Sequence, residues 1–283
     1  MDYKKPGEVV ELMIQSGKDK IKLSSINLLI LAALSGAILG FGTTLAITAT
    51  VQTGLGIVGA LVFPACFVIV VVMGFELVTG SFAVLPAAYF DKQIRMQQMI
   101  KNLLIVYTGN LLGALLYAVL FWVSVTNFGH TGNSPIAAAI IKIAETKTIG
   151  YAQYGGAGIA TAFTKGILCN WMVTMGVVMS LTSSSTLGKI VAAWIPVFIF
   201  FAQGFEHAVV NMFVIPAGML LGAKVTFKDW WVINQIPATL GNLVGGVIFT
   251  ALALYLTHGK KSLTATKRSF DAQKNVREMA DAG

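Results

Sequence analysis

Long apolar stretches separated by short polar segments make up most of this 283-residue chain. An α-helix rises about 1.5 Å per residue, so about 20 apolar residues cross the roughly 30 Å hydrocarbon core of a bilayer. Windows of that length predict six membrane spans: 27–50, 57–90, 102–126, 158–181, 189–221 and 236–258. The hydropathy pattern therefore predicts an all-α integral membrane protein.

The second and fifth spans are too long to be single straight helices. The second covers 34 residues and as one helix would reach about 50 Å, against a core of about 30 Å. Each contains the tripeptide Gly-Phe-Glu near its middle, at 74–76 and at 204–206. We interpret each as two half-helices joined by non-helical backbone, which membranes tolerate only inside protein or beside a water-filled cavity.

The two halves of the chain share a second motif. Gly-Asn-x-x-Gly occurs at 109–113 and at 241–245, and its asparagines follow Glu76 and Glu206 by 34 and 36 residues. Three spans per half is an odd number, so the second half enters the membrane in the opposite direction, as an inverted 3+3 repeat. The Gly-Asn pairs favour close helix packing, with the asparagine bonding across helices.

Charge supports this interpretation and predicts the orientation. Only 11% of residues are charged and 56% are hydrophobic, whereas soluble domains carry about 25% charged residues. An even number of spans puts both termini on one side, which carries 15 Lys and Arg against 4 on the other. The positive-inside rule then places both termini in the cytoplasm. The net charge of +8 is explained by topology and lipid contact, so we expect no nucleic-acid partner.

The predicted organisation has three parts. A cytoplasmic N-terminal amphipathic segment occupies 1–25, a transport domain 26–258, and a cytoplasmic C-terminal tail 259–283. Within the transport domain the repeats lie at about 26–126 and 158–258. Five apolar residues of the N-terminal segment can form one side of a short helix lying against the membrane: Val9, Val10, Leu12, Met13 and Ile14.

Glu76 and Glu206 are the only carboxylates in the predicted spans. A carboxylate deep in a membrane is costly and marks a specific role. Each can accept hydrogen bonds from backbone N–H groups freed at its helix break, or can touch a permeant directly. Their presence in both halves favours bracing of the breaks.

His207 breaks the symmetry between the halves, because Leu77 stands in its place in the first half. A small anion crosses a low-dielectric constriction only at high cost. Helix N-termini attract the anion, and a proton donor converts it to a neutral acid that can cross. Histidine titrates near neutral pH. The position therefore predicts His207 as proton donor and Thr79 as the hydroxyl that holds the anion, with a structural histidine as the alternative.

Other residues near the breaks each have two interpretations. Asn170 and Asn211 can line the site or form interhelical hydrogen bonds. Phe63, Phe67 and Phe200 lie on the half-helices that lead to the breaks. They can form narrow apolar gates, or they can face lipid or pack in the core.

Several of these motifs resemble the formate/nitrite transporter family. The resemblance covers about residues 5–256 and includes Gly-Phe-Glu-His at 204–207, Asn-Met-Phe at 211–213, Glu-Leu-Val-Thr at 76–79 and Gly-Ile-Leu-Cys-Asn-Trp at 166–171. It implies an aquaporin-like fold and a homopentamer in which each protomer carries its own pore. It implies neither a metal nor another cofactor.

The resemblance also implies roles for particular residues. A central protonatable histidine of the family matches His207, and a threonine on the first broken loop matches Thr79. A lysine in the vestibule most resembles Lys147. Two apolar constrictions correspond to three phenylalanines: Phe63, Phe67 and Phe200.

The expected function is passage of small monovalent weak-acid anions together with a proton across the cell (cytoplasmic) membrane. Permeants of the family include formate, nitrite, hydrosulfide and lactate; formate is the first choice, with nitrite or hydrosulfide as alternatives. A neutral-solute pore of the aquaporin type is a further alternative, but the paired Asn-Pro-Ala signature of such pores is absent. An enzyme is not expected, since the spans hold neither a metal-ligand cluster nor a Ser/His/Asp arrangement.

Overall fold

The computed structural model describes residues 2–131 and 134–259. Most of the predicted C-terminal tail therefore lies outside the described residues. Within them the chain forms helices α1 (Pro6–Lys20), α2 (Ser25–Thr53), α3 (Gly56–Val62), α4 (Pro64–Val72), α5 (Val78–Phe90), α6 (Met96–Thr126), α7 (Pro135–Lys147), α8 (Ile149–Ala152), α9 (Gly156–Ser180), α10 (Thr186–Ala202), α11 (Ala208–Leu220), α12 (Ile236–Gly246) and α13 (Ala253–His258). Two π-helical segments, Asp229–Gln235 and Val247–Leu252, join the last helices into one continuous run.

Four described helical runs are long and apolar enough to cross a membrane: Ser25–Thr53, Met96–Thr126, Gly156–Ser180 and Asp229–His258. Shorter apolar helices occupy the predicted second and fifth spans. Several helices begin earlier than the apolar windows. Helix α6, for example, starts at Met96, because Gln98 Oε1 accepts the Arg95 N–H at 2.9 Å and caps a polar first turn.

Both Gly-Phe-Glu tripeptides begin where a helix ends. Gly74 and Gly204 have φ angles of 67° and 65°, a left-handed conformation that only glycine adopts without strain. After Gly74, the Phe75 N–H donates to the Val70 carbonyl oxygen at 2.9 Å, the helix-closing bond of a Schellman motif. The matching bond after Gly204 measures 3.4 Å. The non-helical segments 73–77 and 203–207 therefore follow from the position of these glycines.

The Gly-Asn-x-x-Gly motifs lie where helices touch backbone to backbone, as predicted. A Cβ atom on Gly113 would lie 1.8 Å from the Ala33 carbonyl oxygen, and one on Gly241 would lie 2.1 Å from the Phe163 carbonyl oxygen. Helix α6 therefore packs on α2, and α12 packs on α9, through small residues. These contacts bring the asparagine of each motif next to a helix break.

Helix α1 packs on the protein through its apolar side. Val9 and Met13 are buried in a cluster with residues of α5 and α9: Ala83, Val84, Ala87 and Val178. At Gly17 the helices come so close that a Cβ atom would lie 2.3 Å from the Val84 carbonyl oxygen. The apolar face predicted to lie against the membrane instead covers α5, because Ala83, Val84 and Ala87 offer it an apolar surface.

Candidate functional site

The two breaks meet at the starts of α5 and α11. Thr79, the second residue of α5, and His207, the N-cap residue of α11, are both buried. Thr79 Oγ1 lies 3.0 Å from His207 Nε2. Each helix N-terminus carries a partial positive charge on its unpaired N–H groups. The contact therefore joins two positive helix ends with a hydroxyl and an imidazole, the two side chains that sequence reasoning singled out.

Hydrogen bonds define the tautomer of His207. The Val210 N–H donates to Nδ1 at 3.2 Å and caps α11. Nδ1 therefore carries no hydrogen, and the hydrogen of the neutral ring lies on Nε2, where it is donated to Thr79 Oγ1. The Thr79 hydroxyl keeps its own hydrogen for another acceptor. The Phe200 ring lies nearly parallel to the imidazole, with centroids 5.8 Å apart.

Asparagine amides brace the breaks. Asn110 Oδ1 accepts the Val78 N–H at 2.9 Å, and its Nδ2 donates to the Glu76 carbonyl oxygen at 2.9 Å. Asn242 makes the same two bonds at the second break, at 2.9 and 2.8 Å. The expectation that the carboxylates of Glu76 and Glu206 accept the freed N–H groups is therefore wrong. An amide both donates and accepts, so one side chain satisfies both sides of the gap.

The two glutamates form ion pairs instead. Lys20 Nζ lies 2.6 Å from Glu76 Oε2, with side chains 18% and 4% exposed. Lys147 Nζ lies 2.8 Å from Glu206 Oε2, with side chains 18% and 1% exposed. A buried carboxylate requires such a partner, because an unpaired charge is costly in a low-dielectric interior. Each break therefore has one buried anion and one partly exposed cation.

One cavity reaches the imidazole. It has a volume of about 270 Å³, and its lining includes His207, Lys147 and Phe200. Thr43 and Thr50 also line it, and the remaining lining is mostly apolar. A cation and an imidazole in apolar surroundings suit a small anion better than a neutral polar solute.

A second cavity reaches the first break. It has a volume of about 610 Å³ and is lined in part by Lys20, Phe67, Leu77 and Gly80. Thr79 lies between two of these residues in sequence and contacts the imidazole of the first cavity. Thr79 lines neither cavity itself, but it connects the imidazole at the first cavity to the start of α5, where Leu77 and Gly80 line the second.

The three predicted gate residues are buried but differ in position. Phe67 lines the second cavity and Phe200 lines the first. Phe63 lines neither of these two cavities; its ring stacks on Phe201 with centroids 3.9 Å apart and meets Phe200 edge-on at 6.0 Å. The structure thus places two of the three at cavities and the third behind them.

Asn170 ties the two halves together. Its Nδ2 donates to the Thr79 carbonyl oxygen at 3.1 Å and to the Asn242 carbonyl oxygen at 2.6 Å. The side chain is fully buried and lines neither of the two cavities. Of its two interpretations, the interhelical hydrogen bond is observed.

Glu206 has further donors that sequence reasoning missed in part. Asn211, singled out from sequence, donates to Oε2 at 2.8 Å. Asn234 Nδ2 also donates to Oε2, at 3.1 Å, and the Tyr151 hydroxyl donates to Oε1 at 2.7 Å. Together with Lys147 these groups surround the carboxylate.

A signal for one of the missed residues exists in the sequence. Asn234 precedes Asn242 by eight residues, and Asn102 precedes Asn110 by the same number. An alignment of the two halves would have found that pair. Tyr151 has no counterpart of its type in the first half, so no signal of this kind marks it.

Two solved structures share the fold of this chain. An "FNT family ion channel" aligns with a TM-score of 0.75 at 25% identity, over 88% of this chain and 98% of its own. A "Pentameric formate channel with formate bound" aligns with a TM-score of 0.67 at 24% identity, over 83% and 97%. The second likeness shows the fold alone. The chain is an all-helical protein that resembles these channels.

Sequence relatives extend along almost the whole chain. A "Probable formate transporter" of Methanothermobacter thermautotrophicus is 34% identical over 92% of this chain and 98% of its own length. The formate channel BtFdhC of Bacillus thuringiensis is 30% identical over 92% and 98%, and the formate channel FocA of Escherichia coli (strain K12) is 29% identical over 89% and 94%. These relatives are channels and transporters, not enzymes. The formate/nitrite transporter profile matches residues 7–256, so the chain belongs to this family of multi-pass membrane proteins.

Proposed function

We propose that the protein is a channel for small monovalent weak-acid anions, with formate as the first permeant, and that passage is coupled to a proton at His207. The observation that carries the proposal is the 3.0 Å contact between His207 Nε2 and Thr79 Oγ1, where two helix N-termini meet between two cavities. Relatives named as formate channels support the choice of formate.

The proposed architecture is six spans in an inverted 3+3 repeat with an aquaporin-like arrangement. In this arrangement α3 to α5 form the broken second span, and α10 with α11 form the broken fifth. Support comes from the matched contacts at the breaks, where Asn110 and Asn242 make equivalent bonds. Support also comes from the left-handed glycines Gly74 and Gly204.

An anion is attracted in two stages. Lys147 lines the first cavity and is partly exposed, so its positive charge acts on an anion that enters there. The N-terminal ends of α5 and α11 then present partial positive charge and a Thr79 hydroxyl hydrogen. Both stages favour a small anion with an oxygen or sulfur that accepts hydrogen bonds.

His207 removes the charge of the anion before the narrowest passage. A proton added at Nδ1 displaces the Val210 N–H bond and makes the ring cationic. The ring then releases its Nε2 proton to an oxygen of the anion. The products are a neutral acid such as formic acid, which crosses an apolar constriction at far lower cost than its anion, and a neutral imidazole whose hydrogen is now on Nδ1. Release of that hydrogen and uptake of another at Nε2 restore the starting tautomer, in which Nδ1 accepts the Val210 N–H.

The phenylalanines form the proposed constrictions. Phe67 and Phe200 lie at the two cavities, and Phe63 supports Phe200 from behind. Apolar constrictions exclude ions by removing their water. In the proposed pathway, Phe67 on α4 and Phe200 on α10 form one constriction on each side of the imidazole.

We further propose a homopentamer in the cell membrane, with a pore in each protomer and both termini in the cytoplasm. A solved structure with this fold is pentameric, and the distribution of basic residues supports the orientation. In that orientation the second cavity, lined by Lys20, opens toward the cytoplasm, and the first cavity, lined by Lys147, opens to the opposite side.

The test is uptake into proteoliposomes of isotopically labelled formate, nitrite or hydrosulfide, at several pH values between about 5 and 8. We expect formate uptake that increases as the pH falls, because more proton is available to His207. The variant His207→Asn should lose about 100-fold of this flux, within the range that a general acid contributes.

His130→Asn is the matched control, since His130 is exposed outside the predicted spans and should leave the flux unchanged. Full, pH-responsive formate uptake by His207→Asn would refute the proton-donor role. Greater uptake of nitrite or hydrosulfide would replace formate as the permeant. Swelling of the liposomes in glycerol without anion flux would favour a neutral-solute pore and overturn the proposal.

A further inference from the structure

The two buried ion pairs differ in how their carboxylates are satisfied. The Glu206 carboxylate accepts hydrogen bonds from Lys147 and from three neutral groups: Tyr151 Oη and the Nδ2 atoms of Asn211 and Asn234. We call these three neutral residues the Glu206 cradle. Among the described residues, Lys20 is the hydrogen-bond partner of the Glu76 carboxylate.

Asn102 and Asn234 occupy matching positions at the two ion pairs but bond to different groups. Asn102 Nδ2 donates to the Lys20 carbonyl oxygen at 3.1 Å. Asn234 Nδ2 donates to the Lys147 carbonyl oxygen at 3.0 Å and also reaches the Glu206 carboxylate. Asn102 Oδ1 is buried without a hydrogen-bond partner, whereas Asn234 Oδ1 is paired. The first site thus has the asparagine without its contact to the carboxylate.

Serines stand in the first half where the cradle has Asn211 and Tyr151. Ser81 follows its glutamate at the same spacing as Asn211, and its hydroxyl oxygen is buried without a partner. Ser24 follows its lysine at the same spacing as Tyr151, but its hydroxyl caps α2 instead. The first half therefore provides a natural comparison in which the lysine and glutamate are present and the cradle is absent.

A π-helical segment places the last cradle residue. Asp229–Gln235 is π-helical, and the adjacent residues Asn234 and Gln235 are both fully buried. Asn234 bonds at the Glu206 site, while Gln235 Oε1 accepts the Trp230 Nε1–H at 3.1 Å. π-helical turns interrupt regular helices and often occur at functional sites. Here the turn accompanies two neighbouring amides that serve two different buried groups.

We propose that Tyr151 and Asn234 are positioning residues that free Lys147 to leave Glu206 and bind the permeant anion. This inference rests on the proposed function. The cradle keeps the carboxylate hydrogen-bonded when Lys147 turns toward the cavity that it lines. Lys20 lacks this freedom, because its departure would leave the Glu76 carboxylate, which lines the second cavity, without a side-chain donor among the described residues. The first ion pair therefore holds α1 in place, and the second is a movable anion site.

The physical reason is a competition for one ammonium group. A permeant anion and the Glu206 carboxylate both attract Lys147, and the one with fewer other partners holds it more strongly. Hydrogen bonds to a charged group contribute about 1.5–3 kcal/mol each. Removing one cradle donor makes Glu206 hold Lys147 more tightly and lowers the apparent affinity for the anion by roughly tenfold or more.

The experiment measures equilibrium exchange of labelled formate in proteoliposomes over a range of formate concentrations. Tyr151→Phe and Asn234→Ala should each raise the KM for formate about tenfold, while the maximal exchange rate stays near that of the unchanged protein. A general loss of folded protein would instead lower the maximal rate. In a Glu206→Gln background the competing charge is gone, so Tyr151→Phe should no longer change the KM.

Each variant has a matched control. Tyr107→Phe removes a half-buried hydroxyl that bonds Gln235 rather than Glu206. Asn102→Ala removes the amide that donates to the Lys20 carbonyl oxygen and does not contact a carboxylate. Both controls should leave the KM unchanged. Equal KM values for a variant and its control would overturn the proposal.

A second measurement does not depend on transport. The rate at which a small amine-reactive reagent modifies Lys147 is followed by mass spectrometry, with Lys20 in the same molecules as internal reference. Tyr151→Phe should slow modification of Lys147 and leave Lys20 unchanged. An unchanged Lys147 rate refutes the cradle even in a variant that does not transport. Absence of exchange of formate, nitrite and hydrosulfide by the unchanged protein would refute the proposed function instead, so the two failures are distinguishable.

Discussion

At the scale of single residues, the two helix breaks depend on glycines for their backbone and not for space. Gly204 has a φ of 65°, and a Cβ atom there would meet nothing within 4 Å. We expect Gly204→Ala to lower the free energy of unfolding by about 1–2 kcal/mol, the cost of a left-handed L-residue. Gly56→Ala is the control, because its Cβ atom would also meet nothing and it begins α3 outside the left-handed region. Equal thermal unfolding midpoints for the two variants would contradict this account.

Sequence reasoning singled out two side chains that meet at the breaks but misassigned the bracing. His207 and Thr79 could be predicted because each is a polar exception in an apolar span at a helix break. The partners of Glu76 and Glu206 could not be predicted, since the oxygen of a carboxylate and the oxygen of an amide can each accept a hydrogen bond from a freed N–H group. Only the close packing of α6 and α12 through their glycines shows that the asparagine amides, and not the carboxylates, bond to the backbone at the breaks.

At the scale of elements, helix α1 is held by the Lys20–Glu76 ion pair. Replacing Lys20 with Met would leave the nearly buried Glu76 carboxylate without its cation, and removing one partner of a buried pair costs about 3–5 kcal/mol. Because the Lys20 side chain is 18% exposed, water offsets part of this cost. We expect the free energy of unfolding to fall by about 3 kcal/mol, near the lower end of that range. Thermal unfolding and hydrogen exchange of α1 measure it, with Lys18→Met as the control. A further Glu76→Gln change should restore most of the loss, and failure to do so would contradict the ion-pair account.

The turn before α10 is tied to the N-terminal end of the chain by Asp2. Its carboxylate accepts hydrogen bonds from the Ser183 hydroxyl and from the Ser184 and Ser185 N–H groups. The Ser183 hydrogen bond is the main cause that lowers the pKa of Asp2 below its usual 3.8. A folded-state pKa that is lowered stabilises the tie above the unfolded value, and this contribution is lost as the pH falls through the folded pKa.

We therefore expect the tie to hold at neutral pH and to open only below pH 3.8. Distances between spin labels on α1 and on the 181–185 turn should broaden in that acidic window. Asp2→Asn should show the broad distribution already at neutral pH, with little further change on acidification. A distribution that opens near pH 6 in the unchanged protein would point to another group.

Helix existence could be predicted far better than helix environment. The apolar windows predicted every long helix, because membrane length is a strong constraint on composition. They gave no signal for α7 and α8, which are too short to cross a membrane. These two helices nevertheless bring Lys147 and Tyr151 to the second break. The amphipathic pattern of the N-terminal segment predicted a helix against the membrane, since such a pattern does not say which apolar surface the helix covers.

At the scale of the whole molecule, the two halves match in their contacts at the breaks and differ in the side chains beside them. Asn110 and Asn242 make the same two hydrogen bonds at the two breaks. Differences then determine the chemistry: an imidazole faces a hydroxyl, and one ion pair has a cradle while the other does not. Matched breaks with unlike side chains beside them are the arrangement expected of the proposed pathway, whose two entrances differ.

The proposed assembly can be tested by mixing subunits. If each protomer of a homopentamer carries its own pore, inactive His207→Asn subunits remove only their own flux. Co-reconstituted pentamers with equal shares of active and inactive subunits should then retain about half of the formate flux, whereas one shared pathway that needs five active subunits would retain only about 3%. Mixtures with His130→Asn subunits serve as the control and should retain full flux. A fall that is steeper than linear with the share of His207→Asn subunits would refute independent pores.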